Sequence, residues 1–254
     1  ITGLTRYPVI QKYLPHMSLK NKTAIITGAS RGIGKAIAEN LAKAGAHVIL
    51  TARNQSELHE AVFSINREGG KATAFSLDIT DESAIEKFIA EIKQMGNSVD
   101  ILINNAGIGG FDPVTETDST FWDKVMDVNV KGTFLMCKHL VPFMQKQNGG
   151  HIVNIASDVS KRTFANGAMY CASKYAQDAF SSALRKEVRE FNIKVSVVYP
   201  GKVETYFNNS VPGDNLDYQR LQPDDVANTV NYILSAPAHV VIDELMIHPL
   251  SQDY

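Results

Sequence analysis

Short apolar runs alternate with stretches of helical period along most of this chain. The runs at 23–27, 47–51, 72–77, 100–104, 151–156 and 194–199 read as strands, mostly apolar and little interrupted, as strands buried on both faces are. Residues 35–44, 56–68, 81–94, 168–191 and 223–234 read as helices, and 119–147 as a long helical stretch interrupted near Asn129. Gly45 and the pair Gly69-Gly70 stop the first two helices, and Asp81 stands in a good N-cap position for the third. Residues 240–247 can supply a seventh strand. Strands separated by helices predict an α/β fold, a doubly wound seven-stranded parallel sheet with helices on both faces. No repeat, low-complexity tract or linker divides it, so residues 17–254 are expected to form one domain. Two segments break the rhythm. Residues 1–16 precede Met17 without the apolar core of a signal peptide, and read either as an N-terminal extension or as a segment appended to the natural chain. Residues 203–222 are polar, with Pro212 and Gly213 inside, and a long irregular segment in a compact domain is commonly functional. A substrate loop is one reading of it and a surface excursion the other.

Composition narrows the class. A formal net charge of −2 gives no electrostatic reason to expect nucleic acid or an anionic membrane as partner. No apolar run is long enough to span a bilayer. The two cysteines, Cys137 and Cys171, lie far apart and have no ligand spacing, so no metal is expected; they read as reduced thiols of a cytoplasmic protein.

Two constellations carry chemistry. After the first strand comes Gly28-Ala-Ser-Arg-Gly32-Ile-Gly34, and a helix follows. Strand, glycine turn and helix make a pyrophosphate site: the glycines let the backbone approach, and the helix N-terminus offers free N–H groups and positive potential. The second is Tyr170-Cys-Ala-Ser-Lys174, with Ser157 thirteen residues upstream of the tyrosine. Positions i and i+4 share one helix face. A cation beside a phenol of pKa ~10 favours the phenolate, and the serine can offer a hydroxyl to the same point. Such a group suits reduction of a carbonyl or oxidation of an alcohol.

The chain resembles the short-chain dehydrogenase/reductase family, from about Leu19 to Ile247. Thr27-Gly-Ala-Ser-Arg-Gly-Ile-Gly34 matches the family's cofactor loop, and Asn104-Asn-Ala-Gly107 its motif after the fourth strand. Asn129, Ser157, Tyr170 and Lys174 fall where the family keeps its catalytic tetrad, and Pro200-Gly201 and Thr205 match its turn over the nicotinamide. The resemblance implies a Rossmann fold and an NADP- or NAD-dependent oxidoreductase. It implies cofactor contacts from Gly28, Ser30, Arg31, Gly32, Ile33, Gly34, Asn105, Ala106, Gly107, Pro200, Gly201, Val203 and Thr205. It further implies that Asp78, before Ile79, meets the adenine, that Lys174 also bonds the nicotinamide ribose, and that Asn129 holds a water linking Lys174 to solvent.

The second strand ends Leu50-Thr-Ala-Arg53, without the acid that would bind a ribose 2′-hydroxyl. Arg53 and Arg31 instead suit a 2′-phosphate, through charge and a planar donor fork, which favours NADPH. Substrate is less legible. Lys161 and Arg162 could meet an anion or be solvated loop charges, and Phe111, Phe164, Tyr206 and Phe207 could line an apolar pocket or pack locally. The end of the chain departs from the glycine-rich finish of ketoacyl-carrier-protein reductases, and looks more like the branch with 3-hydroxy-acid dehydrogenases and some sepiapterin reductases. A 3-oxoacyl or 3-hydroxy acid substrate therefore stands beside a sepiapterin- or diketone-type carbonyl substrate, and a non-catalytic NADPH-sensing regulator stands beside both. The helices at 134–144 and 168–184 carry more apolar positions than one sheet-facing stripe needs, which predicts a homo-oligomer, a tetramer or otherwise a dimer.

Overall fold

The computed structural model describes residues 18–96, 98–207 and 220–253. The segment 1–16 and the middle of the 203–222 loop lie outside these. Seven strands are β1 (Thr23–Thr27), β2 (His47–Ala52), β3 (Lys71–Ser76), β4 (Ile101–Asn104), β5 (Gly150–Ile155), β6 (Ile193–Pro200) and β7 (Glu244–Ile247). The helices are α1 (Gly32–Lys43), α2 (Gln55–Arg67), α3 (Glu82–Gln94), α4 (Ser119–Met126), α5 (Gly132–Lys146), α6 (Ala168–Val188) and α7 (Pro223–Leu234). The sheet runs in the order β3-β2-β1-β4-β5-β6-β7, and every pairing is parallel. This is the doubly wound Rossmann architecture that the alternation predicts.

Alternate side chains of each strand feed two cores. Ile26, Leu50, Ile103 and Val198 pack with apolar residues of α1, α2 and α7. Their neighbours Ile25, Ile49 and Leu102 face the other way, onto α3, α5 and α6. With both faces covered by helices, the open space in the structure lies at the ends of the strands. The strand order reverses between β1 and β4, and at such a point the chains leaving the carboxyl ends diverge and open a crevice.

Some boundaries shift for physical reasons. Helix α1 begins at Gly32, not Lys35, because Arg31 is extended and Gly32, at φ +56°, turns the chain straight into the helix; intrinsic propensity argues against glycine there. The 119–147 stretch divides at a π turn, Asp127–Lys131, which holds Asn129 between α4 and α5. Past α6 a short 3₁₀ turn, Arg189–Phe191, ends in left-handed Asn192. Strand β7 keeps only the last half of 240–247. Side chains also bond the carbonyls before it: Lys194 Nζ donates to Pro237 O and Val240 O, and Arg185 Nη2 to Asp243 O, which accepts from Val197 N–H of β6 as well.

His151, on β5, is buried and shares a 2.8 Å hydrogen bond with Ser196 Oγ. Burial, helped by nearby Lys194, lowers its pKa from 6.5 to about 3. A depressed folded pKa means that the unfolded chain takes up the proton first. The stability tied to neutral His151 is present above pH 6.5 and is lost as the pH falls towards 3. His151→Gln should therefore lose melting temperature less steeply than the parent on acidification from about pH 7 to about pH 4. Parallel slopes in the two melting series would remove histidine titration as the cause.

Candidate active site

The glycine turn is built against the segment after β4. Gly28 has φ +63°, and a Cβ on it would lie 2.9 Å from Ala106 Cα. A Cβ on Gly34 would run into the Gly28 carbonyl and stand 2.5 Å from Asn105 Nδ2. Asn105 donates from that nitrogen to Thr27 O (3.0 Å) and Gly28 O (3.1 Å). The backbone N–H groups of Asn105 and Ala106 in turn donate to Thr27 Oγ1, at 3.0 and 3.1 Å. The Asn-Asn-Ala-Gly motif thus braces the turn, and Asn105 spends its amide on the protein while still lining the crevice.

That crevice has a volume of about 730 Å³. Of the expected cofactor residues, Gly28, Ser30, Arg31, Gly32, Ile33, Arg53, Asp78, Ile79, Asn105, Ala106, Gly107 and Thr205 line it. Asp78 Oδ1 is taken by the backbone and hydroxyl of Thr80. Glu57, in the first turn of α2, was not foreseen. Its carboxylate accepts from Ser30 Oγ at 3.0 Å and lies 3.7 Å from Arg31 Nη1. The neighbourhood of Arg31 and Arg53 is therefore not free of acid, although the end of β2 is. Tyr206 belongs here too, 4.9 Å beneath the Arg31 guanidinium, and not with the other aromatics as expected.

A second cavity, of about 650 Å³, adjoins the first, and Ile33, Thr205 and Phe207 line both. Ser157, Tyr170, Pro200, Gly201 and Val203 face it. Phe111, Phe164 and Phe207 form its aromatic side; the rings of Phe207 and Phe111 lie 5.3 and 5.8 Å from that of Tyr170. Gly109 has no alternative here, since a Cβ would come within 2.7 Å of both Tyr170 and Phe207. Arg162, Lys202 and Arg220 bring cations to the same cavity. Lys161 does not: it pairs with Asp178 and Glu244 and lies over the Tyr199 ring.

The structure brings Ser157, Tyr170, Lys174 and Asn129 together, with one correction to their electrostatics. Burial pushes the Tyr170 hydroxyl above its usual range; a hydrogen bond with Ser157 opposes the rise and the charge of Asp158 adds to it. The expected lowering by Lys174 is not found: burial governs both groups, raising the phenol and pulling the lysine down to about 7. Its Nζ lies 5.8 Å from the Tyr170 ring centre and donates to Ile155 O (3.2 Å) and Gln177 Oε1 (3.0 Å). Asn129 accepts from Ile108 N–H and donates to Ile108 O and Ser173 Oγ, so its amide is also engaged. Its backbone oxygen reaches Lys174 through protein: Thr133 Oγ1 donates to Asn129 O, Gln177 Nε2 donates to Thr133 Oγ1, and Gln177 Oε1 accepts from Lys174. Gln177 was missed, although it sits at i+3 from Lys174 and the same-face rule that paired Tyr170 with Lys174 would have found it.

Glu82, Glu86 and His139 bring ligand atoms within 4.8 Å of one another. They line neither cavity, and Lys138 already occupies the Glu82 carboxylate at 2.6 Å. Among the described residues, no helix is long and apolar enough to cross a membrane.

Known proteins match this chain over most of its length. The family model described as short chain dehydrogenase matches residues 22–215. An uncharacterized oxidoreductase of Staphylococcus saprophyticus is 34% identical over 236 residues, covering 92% of this chain and 100% of that protein. Among solved structures, an alcohol dehydrogenase from Thermococcus sibiricus complexed with 5-hydroxy-NADP superposes with TM-score 0.87 at 31% identity, over 92% of this chain and 98% of that one. The closed form of a serine dehydrogenase complexed with NADP+ gives TM-score 0.84 at 33% identity, over 91% and 96%.

Proposed function

The chain belongs to the short-chain dehydrogenase family, and from that premise we propose that it is an NADPH-dependent oxidoreductase that interconverts a carbonyl and a secondary alcohol. The observation that carries this reading is the meeting of the two cavities: Ser157 and Tyr170 face one, the glycine turn lines the other, and Ile33, Thr205 and Phe207 line both. The residues present fit the cofactor. Gly28 and Gly34 leave no room for a side chain where the turn closes, the N-terminus of α1 suits a pyrophosphate, and Arg31 and Arg53 suit a 2′-phosphate. NADP complexes among the structural neighbours support the same cofactor.

When bound, NADPH supplies the hydride; the rest falls to the chain. Tyr170 donates to the carbonyl oxygen of the substrate, and Ser157 turns its single O–H, which donates to Asp158 Oδ1 in this structure, to the same oxygen. Tyr170 gives it a proton as negative charge develops there, and a hydroxyl raised by burial carries that proton at neutral pH. Lys174, held near 7, can exchange a proton in the working range and replace the one given up. Asn129 anchors this lysine through Thr133 and Gln177. A water at Asn129 would complete the path to solvent.

The substrate is a small molecule with an apolar part against Phe111, Phe164 and Phe207 and an acid group towards Arg162, Lys202 and Arg220. A 3-oxoacyl compound or a 3-hydroxy acid has this form. A sepiapterin- or diketone-type carbonyl uses the aromatic side without the cations. A regulator that only senses NADPH would have no use for an assembled Ser157–Tyr170–Lys174 group. An NADPH-oxidation screen over 3-oxoacyl thioesters, 3-oxo acids, α-diketones and pterins separates these readings. A homo-oligomer, a tetramer or otherwise a dimer, is part of the proposal. Phe134 on α5 and Tyr175 on α6 are 44% and 42% exposed, and Phe134 packs edge-on against Phe180 of α6, so these helices leave aromatic surface for a second copy to cover. The expected place of action is the cytoplasm.

Tyr170→Phe should bind NADPH nearly as the parent does and turn over the best carbonyl of the screen at least ~10²-fold more slowly. Retention of most of the activity would reject the assignment. The parent should use NADPH better than NADH, and Arg53→Asp should weaken NADPH use by ~10–100-fold, the loss of a hydrogen bond to a charged group, while sparing NADH. Equal efficiency of the parent with both cofactors would refute the preference. Light scattering at micromolar concentration should show a multimer of the 27.9 kDa chain; a stable, active monomer would rule the assembly out.

A further inference from the structure

One wall of the Tyr170 cavity is a polar assembly in which Asp158 and Gln252 have no part in the proposed reaction. Asp158 follows the serine directly and is only 4% exposed. Its Oδ1 accepts from Ser157 Oγ at 3.0 Å. Its Oδ2 accepts from Arg162 Nε (3.0 Å) and Nη2 (2.5 Å), and from Gln252 Nε2 at 2.7 Å. His248 Nε2 lies 3.5 Å from the same oxygen. At its other end the Gln252 amide accepts from the backbone N–H of Lys202, at 2.7 Å. Its orientation follows from these partners: the –NH₂ must face the carboxylate and the oxygen must face the N–H, since the flipped amide would set like against like at both ends. Gly201 is moulded to it. A Cβ there would run into Gln252 Oε1 and come within 2.7 Å of His248 Cδ2.

We infer that Gln252 and Asp158 are positioning residues of this active site: the glutamine ties the Pro200–Lys202 turn to the carboxylate that holds Ser157. Through one amide the end of the chain sets the distance between the serine hydroxyl and the turn over the nicotinamide position. A carboxylate with several charge-assisted donors is held firmly, and Asp158 is the next residue in the chain, so the backbone that carries Ser157 stays held when the serine turns its one proton to the substrate. The inference rests on the proposed reaction in one respect, that Ser157 meets the substrate oxygen.

Two substitutions test it. Gln252→Met keeps the length and removes both hydrogen bonds. It should lower kcat by ~10–100-fold, the loss of a hydrogen bond to a charged group, with KM and NADPH affinity little changed. The Lys202 amide should also exchange hydrogen for deuterium faster, a readout that needs no turnover. Gln252→Glu adds a titration. Its carboxyl stands against the Asp158 carboxylate, with Arg162, Tyr170, His248, Lys202, Arg220 and Asp253 the other charged or titratable groups around that cavity. A like charge raises the pKa of the new acid. Protonated, it donates to Asp158 and accepts from Lys202 as glutamine does; ionised, it repels Asp158. Activity of Gln252→Glu relative to the parent should therefore be highest at acid pH and fall as the pH rises, while Gln252→Met shows no such recovery. The inference fails if kcat and Lys202 exchange stay at parental values in Gln252→Met. It also fails if the kcat loss is matched by an equal loss of NADPH affinity and melting temperature, or if the pH profile of Gln252→Glu parallels the parent's. A parent that reduces no carbonyl at all would instead sink the proposed reaction, and the positioning role with it.

Discussion

Asn105 lies across the carbonyls of Thr27 and Gly28, and the rest of the site depends on that clasp. Strands β1 and β4 are neighbours in the sheet, but the chains leaving them part company there. Unbraced, a glycine turn so crowded that Gly28 and Gly34 tolerate no side chain would be free to reopen. The clasp holds it shut, and Thr27 Oγ1 returns the favour by accepting from the backbone of Asn105 and Ala106. The crevice for the cofactor follows from this closure and from the divergence of the chains that leave β1 and β4.

Burial does the electrostatic work on the far side of the crevice. A lysine beside a tyrosine suggests a cation that lowers a phenol. Here both groups lose water, and each retreats toward its neutral form: the tyrosine rises and the lysine falls to about 7. The result is a protonated hydroxyl near a lysine able to exchange protons near neutrality. The π turn carries Asn129, whose backbone oxygen accepts from Thr133 Oγ1, and Thr133 and Gln177 relay that contact to Lys174. A buried ammonium without such acceptors would carry a large desolvation cost.

The cavity beside Tyr170 is assembled from parts remote in sequence. Phe111 follows β4, Phe164 lies between β5 and α6, Phe207 follows β6, and Gln252 is near the end of the chain. Each stands on a segment that leaves the carboxyl edge of the sheet. Variation there changes the cavity without disturbing either core, whereas the glycine turn and the Tyr170–Lys174 helix belong to the scaffold.

The sequence by itself determined whatever depends on short range. Apolar runs and helical period specify seven strands, the helices between them and the parallel sheet, because each signal lies within a few residues. The glycine turn and the i, i+4 pair of Tyr170 and Lys174 are legible for the same reason. Only the tertiary structure decided the rest. Glu57 enters the cofactor crevice because α2 packs its first turn against Ser30 and Arg31. Lys161 leaves the cavity for Asp178 and Glu244, and Tyr206 parts from Phe207 to lie under Arg31. Asp158 meets Gln252 across 94 residues. No periodicity encodes such meetings. They arise where separate strands end side by side, and the desolvation that shifts Tyr170 and Lys174 exists only once the chain has closed around them.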